Sequence, residues 1–155
     1  MLDLGCWPGG WLEVLAQRVG PEGRVVGVDV QPTEPLAAPQ VVLLQLDFCE
    51  PGALERIRAA LGRPADAVLC DASPKLTGVR DVDLAAIEEV WTAALQIAQA
   101  LLAPRGFLVV KGFPGQESDL FRKELRRVFA DVHEVRPEGK RTTSKEFYWI
   151  ASRRR

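Results

Sequence analysis

Asp3-Leu4-Gly5-Cys6-Trp7-Pro8-Gly9-Gly10-Trp11 leaves a short apolar run and opens a helical pattern, so three glycines occupy one strand-to-helix turn. Glycine there permits a tight turn and a close approach of backbone to ligand. The spacing is not G-x-G-x-x-G, so a dinucleotide fingerprint is absent. Outward from this turn, Val- and Leu-rich runs alternate with helical patterns. Strands are expected at 1–4, 24–30, 41–46, 67–71, 106–111, 131–135 and 147–151, and helices at 10–19, 51–61, 82–102 and 118–129. Near-continuous apolar runs belong to strands buried on both faces. The long helix places Leu84, Ile87, Trp91, Leu95, Ala98 and Leu102 on one face, and Ala103-Pro104-Arg105-Gly106 is expected to end it. The pattern predicts an α/β doubly wound fold: a mostly parallel seven-stranded sheet with helices on both faces and an antiparallel C-terminal edge strand.

The 155 residues suit one domain, taken as 1–155, and a composition 47% hydrophobic and 26% charged is globular. The longest apolar runs, 41–44 and 107–110, are too short to span a bilayer, and no leader pattern is visible. Cys6, Cys49 and Cys70 lack metal-ligand spacing and accompany a single His. Reduced thiols in a cytoplasmic protein without a metal site, and a monomer, are the expectation. Charge is uneven: residues 1–121 hold 9 Lys/Arg against 16 Asp/Glu, whereas 122–155 hold 11 against 5. A basic end on an acidic domain suits a polyanionic partner; the alternative is a solvated helix and a frayed Arg153-Arg154-Arg155 tail.

Carboxylates recur at strand ends. Asp29 closes the second strand, Asp47 the third and Asp71 the fourth. One such Asp is often a turn former, but three beside a glycine turn favour a ligand site. Lys111, ending the apolar run 107–110, is chemically conspicuous. A lysine becomes a useful base only where burial or a neighbouring cation favours its neutral form; its alternative role is a snorkelling strand-end cation.

Taken together, Asp3-Leu4-Gly5, Pro8-Gly9-Gly10-Trp11, Gly27-Val28-Asp29, Asp47-Phe48, Asp71-Ala72-Ser73-Pro74, Val109-Val110-Lys111-Gly112-Phe113 and Ser144-Lys145-Glu146-Phe147-Tyr148 resemble the FtsJ/RrmJ family of S-adenosylmethionine (SAM)-dependent RNA ribose 2′-O-methyltransferases. The resemblance covers essentially the whole chain. It implies the seven-stranded, Rossmann-like SAM-methyltransferase fold and SAM as cofactor. Gly9 and Trp11 would then line the methionine side, with Gly5 and Gly10 also binding the cofactor, although Trp11 could equally be a core residue. Asp29 would hold the ribose, Asp47 the adenine amino group, and Asp71 would lie beside the methionine. The family's catalytic set resembles Lys-Asp-Lys-Glu, of which Asp71, Lys111 and Glu146 map directly, with Lys111 as general base. The first Lys belongs to a segment before the cofactor loop, and that segment is expected to be missing here. Lys75 is a weaker substitute for it, and Cys6-Trp7 replaces two small residues, so that Trp7 either narrows the pocket or packs beneath it.

The substrate implied is RNA, most directly 23S (large-subunit) rRNA or its ribosomal particle, with tRNA the alternative. Arg136, Lys140, Arg141 and Lys145 are the candidate phosphate contacts. Arg122, Lys123, Arg126 and Arg127 read as a solvated helix face, and His133 as an exposed edge residue. Two other classes compete: a non-catalytic SAM- or RNA-binding module, and a dinucleotide-dependent oxidoreductase, which the glycine spacing disfavours.

Overall fold

The computed structural model describes residues 1–137 and 146–155. Seven strands form one sheet in the order β3-β2-β1-β4-β5-β7-β6. They are β1 (Leu2–Leu4), β2 (Val25–Asp29), β3 (Val41–Gln45), β4 (Ala65–Cys70), β5 (Leu102–Gly112), β6 (Phe129–Val135) and β7 (Phe147–Arg154), interleaved with α1 (Gly10–Val19), α2 (Ala53–Leu61), α3 (Arg80–Leu101) and α4 (Gln116–Val128). Strands β1 to β5 are parallel, and β7 runs antiparallel to both β5 and β6. The antiparallel closure is as expected, with one refinement: the outermost strand is β6, and the last strand lies one place inward. Burial explains the order. Phe147, Trp149 and Ala151 alternate along β7 and are all buried, whereas β6 buries only Phe129.

The elements match their expected positions within a few residues, except that β5 is much longer. Leu102 pairs with Ala65 and Phe107 with Ala67, so residues 103–106 bulge out of the ladder. That bulge accommodates Pro104, which a regular inner strand would exclude. The helix therefore ends one residue earlier than its pattern suggested, and the chain enters β5 directly.

Helices cover both faces. On one, α1 lays Leu12 and Leu15 over Val25, Ala67, Leu69 and Val109. On the other, α2, α3 and α4 bury Ile57, Trp91, Ala98, Phe121 and Leu125 against Val26, Val68, Leu108 and Val110. Trp91, Phe121 and Trp149 are in mutual ring contact at 5.1 to 5.4 Å, and Phe147 meets Trp149 at 4.8 Å. Such pairs add roughly 0.5–1.5 kcal/mol each beyond their buried area. This aromatic wedge seats β7 and, through Trp91 Nε1–H donating to the Lys111 carbonyl at 2.8 Å, fixes the end of β5. Among the described residues no helix is long and apolar enough to cross a membrane.

Candidate functional site

A cavity of about 580 Å³ opens beyond the carboxyl ends of the parallel strands, where β1 is flanked by β2 and β4 and the strand order reverses. Open α/β sheets bind ligands at such a crevice, and this volume suits a nucleoside-sized molecule. Gly5, Trp7, Asp29, Asp47, Phe48, Asp71, Lys75, Glu89, Val90 and Lys111 are among its lining residues.

The glycine turn builds the floor. Gly5 has φ 78, and a Cβ there would stand 2.6 Å from the Ala72 Cα, so no side chain fits. Its N–H and that of Cys6 both donate to the Val28 carbonyl, at 2.8 and 3.2 Å. The Asp29 carboxylate then ties two loops together: Oδ2 accepts from Trp7 N–H at 2.9 Å and Oδ1 from Gln31 N–H at 2.8 Å. A carboxylate offers about four lone-pair positions, so Asp29 keeps acceptor capacity toward the cavity. Asp47 is fixed similarly by Cys49 N–H at 2.8 Å.

The opposite wall carries the titratable cluster. Lys111 is only 8% exposed, and its Nζ donates to the Asp71 carbonyl at 2.5 Å and lies 3.3 Å from Asp71 Oδ1. That same Oδ1 accepts from the Tyr148 hydroxyl at 2.7 Å. Burial first, then this hydrogen bond, pushes the Tyr148 phenol well above its usual pKa, with Asp71 and Glu146 adding negative charge nearby. Tyr148 in turn meets the Trp11 ring at 5.8 Å. Beneath the cavity, Asp3 is fully buried with no hydrogen-bond partner among the described residues. Burial, followed by repulsion from Asp71 and Asp29, raises its carboxyl to about 7.

Gly5, Asp29, Asp47, Asp71 and Lys111 thus converge on one cavity as expected. Gly9 and Gly10 do not line it: Gly9 caps α1 with φ 119, and Gly10 begins the helix. Trp11 does not line it either, because the first turn of α1 directs its ring across the sheet toward β7. Trp7 lines the cavity and remains 57% exposed, so it narrows the mouth rather than packing beneath. Lys75 also reaches the lining. Glu146 is partly buried just before β7 and outside the lining. Arg136 is exposed, bonded to Glu134 and set 5.8 Å from the Phe147 ring. Lys140, Arg141 and Lys145 lie outside the described residues. The sequence pattern did not single out Tyr148, Asp3 or Glu89. Alternation along 147–151 could have put Tyr148 and Lys111 on one face; nothing local marks Glu89.

Chemically, carboxylates at three strand ends suit a ligand with hydroxyls, an amino group and a positive centre. The residue set therefore fits SAM, and Lys111 beside Asp71 is a buried amine–carboxylate pair facing the same cavity.

Comparison with known proteins agrees. A family model, FtsJ-like methyltransferase, matches residues 1–154. A curated relative from Anaeromyxobacter sp., ribosomal RNA large subunit methyltransferase E, is 43% identical over 148 residues, covering 96% of this chain and 54% of the relative. The same-named protein of Myxococcus xanthus is 38% identical over 155 residues, covering 100% and 73%. The chain thus spans little more than half of the first and nearly three-quarters of the second. Among solved structures, a Plasmodium falciparum protein described as a ribosomal RNA methyltransferase superposes with a TM-score of 0.83 at 22% identity, covering 99% of this chain and 85% of its own, which establishes the shared fold.

Proposed function

The chain belongs to the FtsJ-like methyltransferase family, and on that premise we propose that it moves a methyl group from SAM to a ribose 2′-hydroxyl of RNA, with large-subunit rRNA as substrate and Lys111 as proton acceptor. The observation that carries this reading is the placement of Lys111: an almost fully buried amine at a strand end, facing the same cavity as Asp29, Asp47 and Asp71.

SAM, when bound, supplies an electrophilic methyl carbon on a positively charged sulfur. Asp29 would hold the cofactor ribose with its remaining lone pairs, and Asp47 would receive the adenine amino group. Asp71 would offer negative charge to that positive centre, and its carbonyl and Oδ1 orient Lys111. Lys111 is the residue placed to accept the proton of a ribose hydroxyl brought into the cavity. Proton removal by a positioned base contributes roughly 10²–10⁴-fold. Glu146 adds a second carboxylate on the Tyr148 side, and Tyr148 holds Asp71 in place. Arg136, Lys140, Arg141 and Lys145 position the RNA through its phosphates. Residues 1–155 act in this scheme as one domain, a cytoplasmic monomer.

The test uses labelled SAM with large-subunit rRNA, bare and assembled. Label should enter the RNA, protect one backbone position from alkaline cleavage, and fall by about 10² or more in Lys111→Ala. Label on a base, or equal label in the variant, overturns the reading.

A further inference from the structure

At the far end of the same strands the surface chemistry reverses. Two shallow hollows adjoin there, sharing Gln99 and Arg154; Arg127 and Arg155 line one, Arg58 and Arg63 the other. No acidic side chain and no aromatic residue lines either hollow.

These arginines are not a frayed tail. Strand β7 continues to Arg154, the Arg155 N–H donates to the Val128 carbonyl at 2.9 Å, and Arg154 Nη1 donates to the Gln99 carbonyl at 2.7 Å. Arg153 adopts a left-handed backbone, φ 57, and pairs with Asp131. A left-handed non-glycine residue costs of order 1 kcal/mol, so surrounding contacts must hold it.

Helix ends do not account for the charge. Helices α2, α3 and α4 all finish here, each contributing about half a negative charge, against five guanidinium groups. Glu55, Asp66 and Glu124 pair with Arg58, Arg63 and Arg127, but they are solvent-exposed and lie outside both hollows. Exposed pairs of this kind are held by only about 0–1 kcal/mol, so a phosphate can displace them. Arg154 is held by a carbonyl rather than a carboxylate, and every cation in the two hollows is arginine, whose planar fork matches phosphate oxygens in bidentate fashion.

We propose that these hollows form a second RNA contact, gripping the phosphodiester backbone at the end of the sheet opposite the cavity. The inference rests on RNA being the substrate. Strands of five or six residues separate the two ends by about 17–20 Å, so only an extended RNA engages both. The footprint holds the substrate without reading its sequence.

Arg58→Ala/Arg127→Ala/Arg155→Ala tests it, because none of these side chains bridges two elements. With a long structured large-subunit rRNA fragment, the dissociation constant should rise about tenfold and the log–log salt slope should shrink by about 2–3. Binding of a hexanucleotide and of S-adenosylhomocysteine should not change. An unchanged affinity and slope, with the wild type still binding and methylating the fragment, overturns this inference alone. Failure of the wild type to bind any RNA overturns it together with the proposed reaction. Competition by polyglutamate equal to that of RNA, lost in the same variant, assigns the surface to an acidic protein and overturns the RNA contact.

Discussion

The two walls of the cavity are made in different ways. On the proposed cofactor wall, carboxylates are held by backbone N–H groups: Asp29 by Trp7 and Gln31, Asp47 by Cys49. On the proposed catalytic wall, side chains are held across long stretches of chain, Lys111 to Asp71 over 40 residues and Tyr148 to Asp71 over 77. The first wall is a property of strand ends and tight turns. The second exists only once the sheet has closed. The walls should therefore respond separately to substitution.

The largest effect is expected at Lys111. Lys111→Ala should lower methyl transfer by about 10²–10⁴-fold while leaving S-adenosylhomocysteine affinity within a few-fold. Calorimetric titration beside the rate measurement checks both halves. If affinity collapses with rate, the walls are not separable.

Asp3 lies under both walls and is next in size. Its carboxyl titrates near 7 in the folded protein, against 3.8 for an unperturbed one. Between those values the unfolded chain binds fewer protons than the native one, so this group's contribution falls as pH rises. It is fully retained below about pH 4 and lost above 7, a difference of up to about 4 kcal/mol. Asp3→Asn should accordingly be more stable than wild type at pH 8 and close to it at pH 4, as read from urea unfolding. A variant less stable at pH 8 would show that the carboxylate is partnered in solution.

This division also explains what could be read from the chain. Asp29, Asp47 and Asp71 announced themselves because each ends its own apolar run, and Lys111 did so for the same reason. The resemblance added Glu146. Gly9, Gly10 and Trp11 were legible as a turn but not as its parts: only the direction of α1 separates the lining Gly5 from the helix-capping Gly9 and from Trp11, which turns toward Tyr148. Glu89 enters the cavity through the rotation of α3, which the packing of Trp91 against Phe121 and Trp149 decides. The inward place of β7 likewise depends on those aromatics meeting. Contacts between distant elements leave little trace in local pattern, and it is the catalytic wall that is built of them.

On the cofactor wall, Asp29→Asn is the sharper probe. It leaves one acceptor oxygen where two backbone N–H groups now bind, and sets an amide donor against the other. Losing a charge-assisted bond of this kind costs about 1.5–3 kcal/mol. S-adenosylhomocysteine should bind roughly 10- to 100-fold more weakly. The rate at saturating cofactor should change far less, because Asp29 touches none of Asp71, Lys111 or Tyr148. A fall in saturated rate with unchanged affinity would place Asp29 on the wrong wall.

Tyr148→Phe should give the smallest effect and the clearest one. The phenol packs on Trp11 through its ring and donates to Asp71 through its hydroxyl, so removing the oxygen keeps the packing and frees one acceptor position. A single hydrogen bond to a charged group contributes about 1.5–3 kcal/mol, but Asp71 is partly open to water that replaces the donor. The saturated rate should fall a few-fold with cofactor affinity unchanged, since Asp71 then faces Lys111 without the phenol's hydrogen bond. A purely structural Tyr148 would lower stability and leave the saturated rate where it was. A fall in saturated rate at unchanged affinity is therefore the measurement that joins the two residues 77 apart into one proposed catalytic wall.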